Sequence, residues 1–302
     1  MRQRFSVLDF FKEYPDEASA VRYFESLRWP NGIRCPYCGS DNVAHCQSPM
    51  PHRCRDCRKH FSVRVGTILQ SSKLPLQKWL LAIYILVNSK KGISSVQLAE
   101  YLGTTQKTAW FLAHRIRESW LAETGMFSGT VEVDETYVGG LEKNKHSKKK
   151  LRGGRGSVGK APVVGIKSRD GMVKVFAVER TDKETLTSTI RENVEKGSTV
   201  YTDQFDPYKD LDEFVHRQVN HGIGEYVRDG DIYTNGIESF WAGLKRGYRG
   251  IYHKWSRKHL QRYANEFAGR QNMLGLSVKE RIRLVVGNGY NRHLSYKELV
   301  NG

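Results

Sequence analysis

The spacing of apolar positions changes along this chain, and each change marks a different kind of element. Over residues 7–28 it is helical: VLDFFKEY, a start signal at Pro15-Asp16-Glu17, then ASAVRYFESLRW with Val21, Tyr23, Phe24 and Leu27 on roughly one face. Pro30-Asn31-Gly32 ends that stretch. LQKWLLAIYILVNSKKG is apolar enough for a buried helix that stops at Gly92. ISSVQLAEYLGTTQKTAWFLAHRIRESW then reads as helix, turn, helix. Leu98, Ala99 and Leu102 form one apolar face, Gly103 permits the turn, and Ala109, Leu112 and Ile116 form the second face.

From residue 130 the period falls to two. In TVEVDETYVGG, Val131 and Val133 point one way while Glu132 and Asp134 point the other. APVVGIKSR and GMVKVFAVER, joined by Arg169-Asp170-Gly171, continue as strands of a meander. DKETLTSTIRENVEKG is an amphipathic helix with Leu186 and Ile190 inward, and STVYTDQF is a further strand carrying Asp203 at its end. A long helix opens at about Gly236 and runs through IESFWAGLKRGY; residues 256–285 add more basic helix. Strands mixed with helices place this part of the chain in the α/β class.

Two CxxC pairs, Cys35-Pro-Tyr-Cys38 and Cys54-Arg-Asp-Cys57, lie fifteen residues apart. Four thiolates in that spacing close a tetrahedron around zinc, and four protein ligands leave no open position, so the ion is expected to be structural. A redox pair would need a βαβ setting that neither CxxC has. Cys46, His45, His52 and His60 are nearby and are read as polar or packing residues.

Charge adds a partner. Lys and Arg number 49 against 32 Asp and Glu, a formal net charge of +17. Such an excess suits a polyanion, nucleic acid before an anionic membrane surface. No apolar run approaches the roughly 20 residues needed to span a bilayer, and MRQRFSVLDFF lacks the apolar core of a signal peptide. The second helix of the helix-turn-helix would present its early positions, Thr105 to Thr108 with Lys107, to DNA, assisted by Arg115 and Arg117. Arg53, Arg55, Arg58, Lys59 and Arg64 give the cysteine module a basic face. LEKNKHSKKKLRGGRGSVGK (141–160) reads as a flexible loop that grips DNA through Lys148, Lys149, Lys150 and Arg152.

The carboxylates are the remaining chemistry. A surface strand edge with solvated acids would also give the pattern at residues 130–138, and Glu238 could be a helix-start acid facing the dipole. The order Asp134, Asp203, Glu238, with 34 residues between the last two, is nonetheless that of an acid triad in a basic protein. Lys245 shares a helix face with Glu238. Three acids of this kind supply hard oxygen ligands for divalent cations in phosphodiester chemistry.

LRWPNGIRCPYCGS, CRDCRKHFSVRVGTI, VEVDETYVGG, VYTDQF and NGIESFWAGLKRGYRGIYHKWSRKHLQRYANEFAGRQN together resemble the zinc-ribbon DDE transposases of bacterial insertion sequences, the ISXO-two-like group. The resemblance implies an RNase H-like mixed-sheet catalytic domain (residues 128–302, with C-terminal helices) behind a zinc ribbon (1–66) and a helix-turn-helix domain (67–127). It implies that Asp134, Asp203 and Glu238 hold two Mg²⁺ or Mn²⁺ ions, with Glu132 and Glu135 as neighbours, and that Lys245 contacts the terminal phosphate. Thr234 stands where some such families have Arg. The implied activity is cleavage at terminal inverted repeats and strand transfer into target DNA by a homodimer or larger assembly. The place of action is the bacterial cytoplasm, at the nucleoid, with no membrane partner. A non-catalytic zinc-ribbon/helix-turn-helix regulator and an RNase H-like nuclease are the alternatives.

Overall fold

The computed structural model describes residues 4–120, 125–140, 142–151, 156–203, 208, 211–219 and 234–301, with the side chains of Lys143 and Lys149 outside that description. The chain divides into two units, Met1–Ala122 with Gly275–Gly302, and Glu123–Leu274.

In the first unit, α1 (Val7–Glu13) and α2 (Glu17–Arg28) each open on a capping box, Ser6 with Asp9 and Asp16 with Ser19. A three-stranded antiparallel ribbon follows: β1 (Val43–His45), β2 (His52–Cys54) and β3 (His60–Phe61). Helix α3 (Leu76–Asn88) has no side-chain cap from its own N-cap residue, Pro75. Instead the Glu17 carboxylate accepts from the amides of Leu76 and Gln77 at 2.7 and 2.9 Å. One acid therefore satisfies two orphan donors and ties the start of α2 to the start of α3. α4 (Ser95–Leu102) ends at Gly103 in the left-handed conformation, φ 55°, and α5 (Gln106–Arg117) starts at Thr105, whose hydroxyl accepts from the Thr108 amide. Leu98, Ala99, Leu102, Ala109, Leu112 and Ile116 are all buried, as their spacing predicts.

The second unit is built on a five-stranded sheet. β4 (Thr130–Val138), β5 (Ala161–Ser168) and β6 (Val173–Ala177) form the expected antiparallel meander. After α6 (Lys183–Asn193), β7 (Thr199–Asp203) pairs parallel with β4 on its other edge. β8 (Val215–Val219), VHRQV, pairs parallel with β7 and completes the order β6-β5-β4-β7-β8. Its polar composition hid it from the periodicity argument; among its residues only Val219 is fully buried.

Helices cover both faces. Leu186 and Ile190 of α6 pack on Val131, Val133, Val164, Ile166 and Val200. On the opposite face α7 (Asn235–Gly247) and α8 (Leu260–Asn272) place Ile237, Trp241, Leu244, Ala264 and Phe267 against Val138, Val163, Val173 and Val175. Helix α8 also closes the edge of β6. Asn272 donates to the Val173 carbonyl at 3.0 Å and accepts from its amide at 2.7 Å, while Gln261 brackets Val175 and Ala177 in the same way. Two side-chain amides thus replace the missing neighbour strand.

The chain then returns to the first unit with α9 (Val278–Gly287) and α10 (Tyr296–Asn301). These helices were expected with the mixed sheet. They sit instead among the N-terminal helices because residues 289–291 lock onto residues 66–68: Ile68 donates to the Gly289 carbonyl, Asn291 to that of Gly66, and the Tyr290 hydroxyl to Phe24.

Gly165 of β5, directly opposite Asp134, is where α7 approaches the sheet most closely. A Cβ there would lie 2.6 Å from Trp241 Cζ2 and 2.9 Å from Ile237 Cδ1. Gly165→Ala is expected to destabilise the protein by about 1–3 kcal/mol through overpacking, measured as a lower midpoint in chemical denaturation; an unchanged midpoint would show that α7 can lift without loss.

Candidate active site and metal centre

The ribbon brings Cys35, Cys38, Cys54 and Cys57 together, with all four sulfur atoms within 4.8 Å of one another. The Cys35–Cys57 and Cys38–Cys54 separations are 3.6 Å. Sulfurs at the corners of a zinc tetrahedron with bonds of about 2.3 Å would stand about 3.8 Å apart, so the cluster fits a structural zinc. Both knuckles need a left-handed turn, supplied by Gly39 at φ 77° and by Arg58 at φ 62°. The Cys57 amide holds the Cys54 thiol down at about 7, while burial and hydrogen bonds from the neighbouring sulfurs push the Cys38 thiol up to about 12, as expected where close sulfurs share protons. His52 is a structural residue, hydrogen-bonded to Glu25 at 2.7 Å. Cys46 lies outside the cluster.

Asp203 closes β7, whereas Asp134 stands at the middle of β4, just past the stretch that pairs with β7. The parallel register Val131↔Val200, Glu132↔Tyr201, carried two places further, sets Asp134 level with Asp203. Glu238 is on the first turn of α7 and exposed, with the Thr234 hydroxyl 3.4 Å from its Oε1. Burial first, then the charges of Glu135 and Asp203, with a smaller contribution from Glu238, push the Asp134 carboxyl up to about 7. The three acids therefore share one electrostatic site. Their oxygens are more widely spread than the cysteine sulfurs, the one set of three or more ligating groups closed within 4.8 Å among the described residues. Mutual repulsion of uncompensated carboxylates is the physical reason for such spreading. Carboxylate oxygens are the hard donors that divalent cations of the Mg²⁺ class take.

Lys245, two turns along α7 from Glu238, lies close enough for the Asp134 charge to act on its ammonium. Glu135 points to the other face of the sheet, where it accepts from the Tyr208 hydroxyl at 2.8 Å.

Glu132 has a separate and well-defined part that its position in the sequence did not reveal. It is 3% exposed, pairs with Arg169 at 2.8 Å, and accepts from the Ile237 amide at 2.8 Å. Burial raises its pKa, opposed by the Ile237 amide, Arg169, Lys167 and the Gly236 amide. It therefore caps the N-terminus of α7 from within the sheet. Gly236 permits the approach, since a Cβ there would stand 2.8 Å from both Glu132 oxygens. One strand acid thus fixes the helix that carries Glu238.

The basic residues sort differently from expectation. Lys107 is exposed, its ammonium 4.8 Å from the Tyr296 ring centre. Arg115 is not a surface residue: it is 3% exposed, donates to the Gln70 carbonyl, and lies over Trp79 and Phe111. Its guanidinium is committed to the interior of the first unit, which removes it from any DNA-contacting surface. Arg117 is buried too. Lys148 and Lys150 are exposed beside the short 3₁₀ turn Ser147–Lys149. Arg152 and the side chain of Lys149 lie outside the described residues.

Glu132→Gln keeps the shape but removes the charge facing Arg169, Lys167 and the helix start. It is expected to lower stability by about 2–3 kcal/mol, read by chemical denaturation; a loss under about 0.5 kcal/mol, the level of an ordinary surface substitution, would contradict the capping role.

Residues 126–272 match the ISXO2-like transposase domain family, and residues 15–60 match the transposase zinc-ribbon domain family. All three acids lie inside the first match and all four clustered cysteines inside the second. The chain is 29% identical over 290 residues to an uncharacterized protein in transposable element ISH50 of Halobacterium salinarum, covering 91% of this chain and 97% of that protein. It is 35% identical over 105 residues to an uncharacterized transposase-like protein of Haemophilus influenzae, covering 33% of this chain and 80% of that protein. With its cysteine cluster and mixed-sheet unit falling in the two matched regions, this chain belongs to the zinc-ribbon, ISXO2-like transposases of insertion sequences.

Proposed function

We propose that this transposase binds the terminal inverted repeats of its element, cuts DNA there, and joins the freed 3′-hydroxyl to target DNA, using Asp134, Asp203 and Glu238. The observation that carries the reading is the half-buried Asp134 in the middle of a central strand, sharing its field with Asp203 and Glu238 inside the matched transposase domain. The sheet order, with an antiparallel meander on one side of β4 and parallel strands on the other, supports assigning the unit to the RNase H-like fold.

In this proposal the three carboxylates hold two divalent cations, Mg²⁺ or Mn²⁺. Bound there, the pair would polarise the attacking and leaving oxygens of an in-line displacement. The protein's own part is positioning and charge. Glu132 holds α7 against the sheet, so that Glu238 and Lys245 keep fixed places relative to Asp134. Lys245 meets the phosphate next to the scissile bond, where a fixed cation stabilises developing charge. In the first unit, the exposed start of α5 with Gln106 and Lys107 supports a helix-turn-helix reading of the α4–α5 pair. Exposed Arg53, Arg55, Arg58 and Lys59 of the ribbon, and Lys148 and Lys150 after β4, add phosphate contacts. Bridging two element ends calls for a homodimer or larger assembly, acting at the nucleoid. No helix among the described residues is long and apolar enough to cross a membrane.

Asp134→Asn, Asp203→Asn and Glu238→Gln should each slow Mg²⁺-dependent cleavage of end-bearing DNA at least about a hundredfold while leaving its binding intact in gel-shift assays. Near-normal strand transfer by any one variant would remove that residue from the site. Cleavage without strand transfer would favour a nuclease, and end binding without metal-dependent nicking a regulator.

The Asp134 shift sets a pH dependence for the metal-free protein. Its pKa rises from 3.8 unfolded to about 7 folded, so the group favours the folded state below the lower value. That contribution is lost as pH climbs through the window to about 7. Mg²⁺ should therefore raise the Tm more at pH 8 than at pH 5, and the difference should shrink in Asp134→Asn; equal shifts at both pH values would contradict a cation held by these acids.

A further inference from the structure

The ladder between β4 and β7 is short. It runs from Thr130↔Thr199 to Glu132↔Tyr201, and β7 then stays with β8 as far as Asp203↔Val219. Asp134 and Asp203 therefore stand side by side just past the last paired residues, where the ladder no longer joins their strands. Their carboxylates act on each other electrostatically. Like charges at this position push the two strands apart.

Glu135 spans this gap with both its backbone and its side chain. The Thr130 carbonyl accepts from the Arg169 amide on the β5 side of the strand. Backbone groups alternate sides along a strand, so the Glu135 amide faces β7. With the ladder over, that amide donates to Asp134 Oδ1 at 2.8 Å. The Glu135 side chain goes to the sheet face opposite Asp134. There its Oε2 accepts from the Tyr208 hydroxyl at 2.8 Å. Tyr208, five residues past Asp203, is fully buried in the core that holds Val131, Leu186 and Ile190. A buried hydroxyl needs an acceptor, and a carboxylate is a strong one. One residue thus orients the Asp134 carboxylate and ties the chain downstream of Asp203 back to β4.

We propose that Glu135 and Tyr208 are positioning residues for the acid site: their hydrogen bond takes over where the ladder stops and sets the spacing of Asp134 and Asp203. Glu135 is then not a cation ligand, because its carboxylate is on the far face of the sheet and committed to Tyr208. Its part is to keep two repelling carboxylates at one separation before any cation arrives. Partners placed behind metal ligands act in this way, and losing one lowers metal affinity by about 10–100-fold. The proposal rests on the reading of Asp134 and Asp203 as cation ligands and adds what holds them in register.

The test measures Mn²⁺ binding by the zinc-loaded whole chain, without DNA, from the electron paramagnetic resonance signal of the free ion. Asp134→Asn marks the part of the binding that belongs to the acid site. Tyr208→Phe keeps the ring and every charge and loses only the hydroxyl; it should weaken binding about tenfold. Glu135→Gln and Glu135→Leu remove the same charge, but only the first can still accept from Tyr208. Glu135→Leu should therefore bind Mn²⁺ about tenfold more weakly than Glu135→Gln, and adding Tyr208→Phe to it should cost nothing further. Ile190→Val trims the same core without touching the bond; it should lower the denaturation midpoint and leave Mn²⁺ affinity unchanged. Circular dichroism confirms folding, and the Tyr208 and Glu135 comparisons are independent, so either one decides if a variant of the other fails to fold. Wild-type affinity in Tyr208→Phe, equal affinities in Glu135→Leu and Glu135→Gln, or a matching loss in Ile190→Val would overturn the proposal. So would a loss in Glu135→Gln as deep as that in Asp134→Asn, which would make Glu135 a ligand. A loss confined to Asp134→Asn would sink this positioning role and leave the acid site standing, whereas unchanged binding in Asp134→Asn would sink both.

Discussion

Burying one carboxylate in the middle of the sheet is the constraint on which the second unit depends. Glu132 lies on a strand covered by helices on both faces, where an uncompensated charge would cost several kcal/mol. It is tolerable because Arg169, Lys167 and the first amides of α7 converge on it. That convergence leaves α7 little choice of position. Gly236 brings the helix start down to the carboxylate, and Gly165 makes room for Trp241 and Ile237 one turn further along. Glu238 and Lys245 take their places from the same docking, so the acid and the base of the proposed site follow from a charge that is itself no part of the chemistry.

In the first unit, charge is divided between structure and surface. Arg64 donates to the Ser72 carbonyl and reaches Glu17; Arg28 donates to Val63; Arg115 is sandwiched between aromatic rings. Guanidinium groups do this well, because they are weakly hydrated and their planar faces stack. Among the cations left outside are Arg34, Arg53, Arg55, Arg58, Lys59 and Lys107. A formal charge of +17 therefore overstates the polyanion-facing surface, and burial, not residue type, says which cations belong to it.

Periodicity carried much of the fold. The helical stretches at the N-terminus, the α4–α5 pair with its left-handed glycine, the meander β4–β6, and Asp203 at the end of β7 were all legible, because local patterns of burial decide them. β8 was not, since an edge strand with one buried valine has almost no alternation to read. The placement of α9 and α10 was not either; contacts between residues 66–68 and 289–291 join positions more than two hundred apart, and no local pattern encodes them. At the site, the cysteine spacing and the order of the acids were visible. The part played by Glu132 was hidden in a contact 105 residues away, at Ile237. Arg115 misled for the opposite reason: a basic residue in the last turn of a basic helix looks like a surface contact until the neighbouring aromatics are placed.

The return of the chain after Leu274 makes the first unit discontinuous, with the entire mixed-sheet unit inserted between its two parts. On the ribosome, residues 123–274 can therefore complete their core while the N-terminal helices still wait for α9. A nonsense or frameshift change near the end of the gene would spare the sheet and its acids. The damage would fall on the unit that carries the cysteine cluster, far earlier in the sequence, leaving a chain with an intact acid cluster but an unfinished first unit.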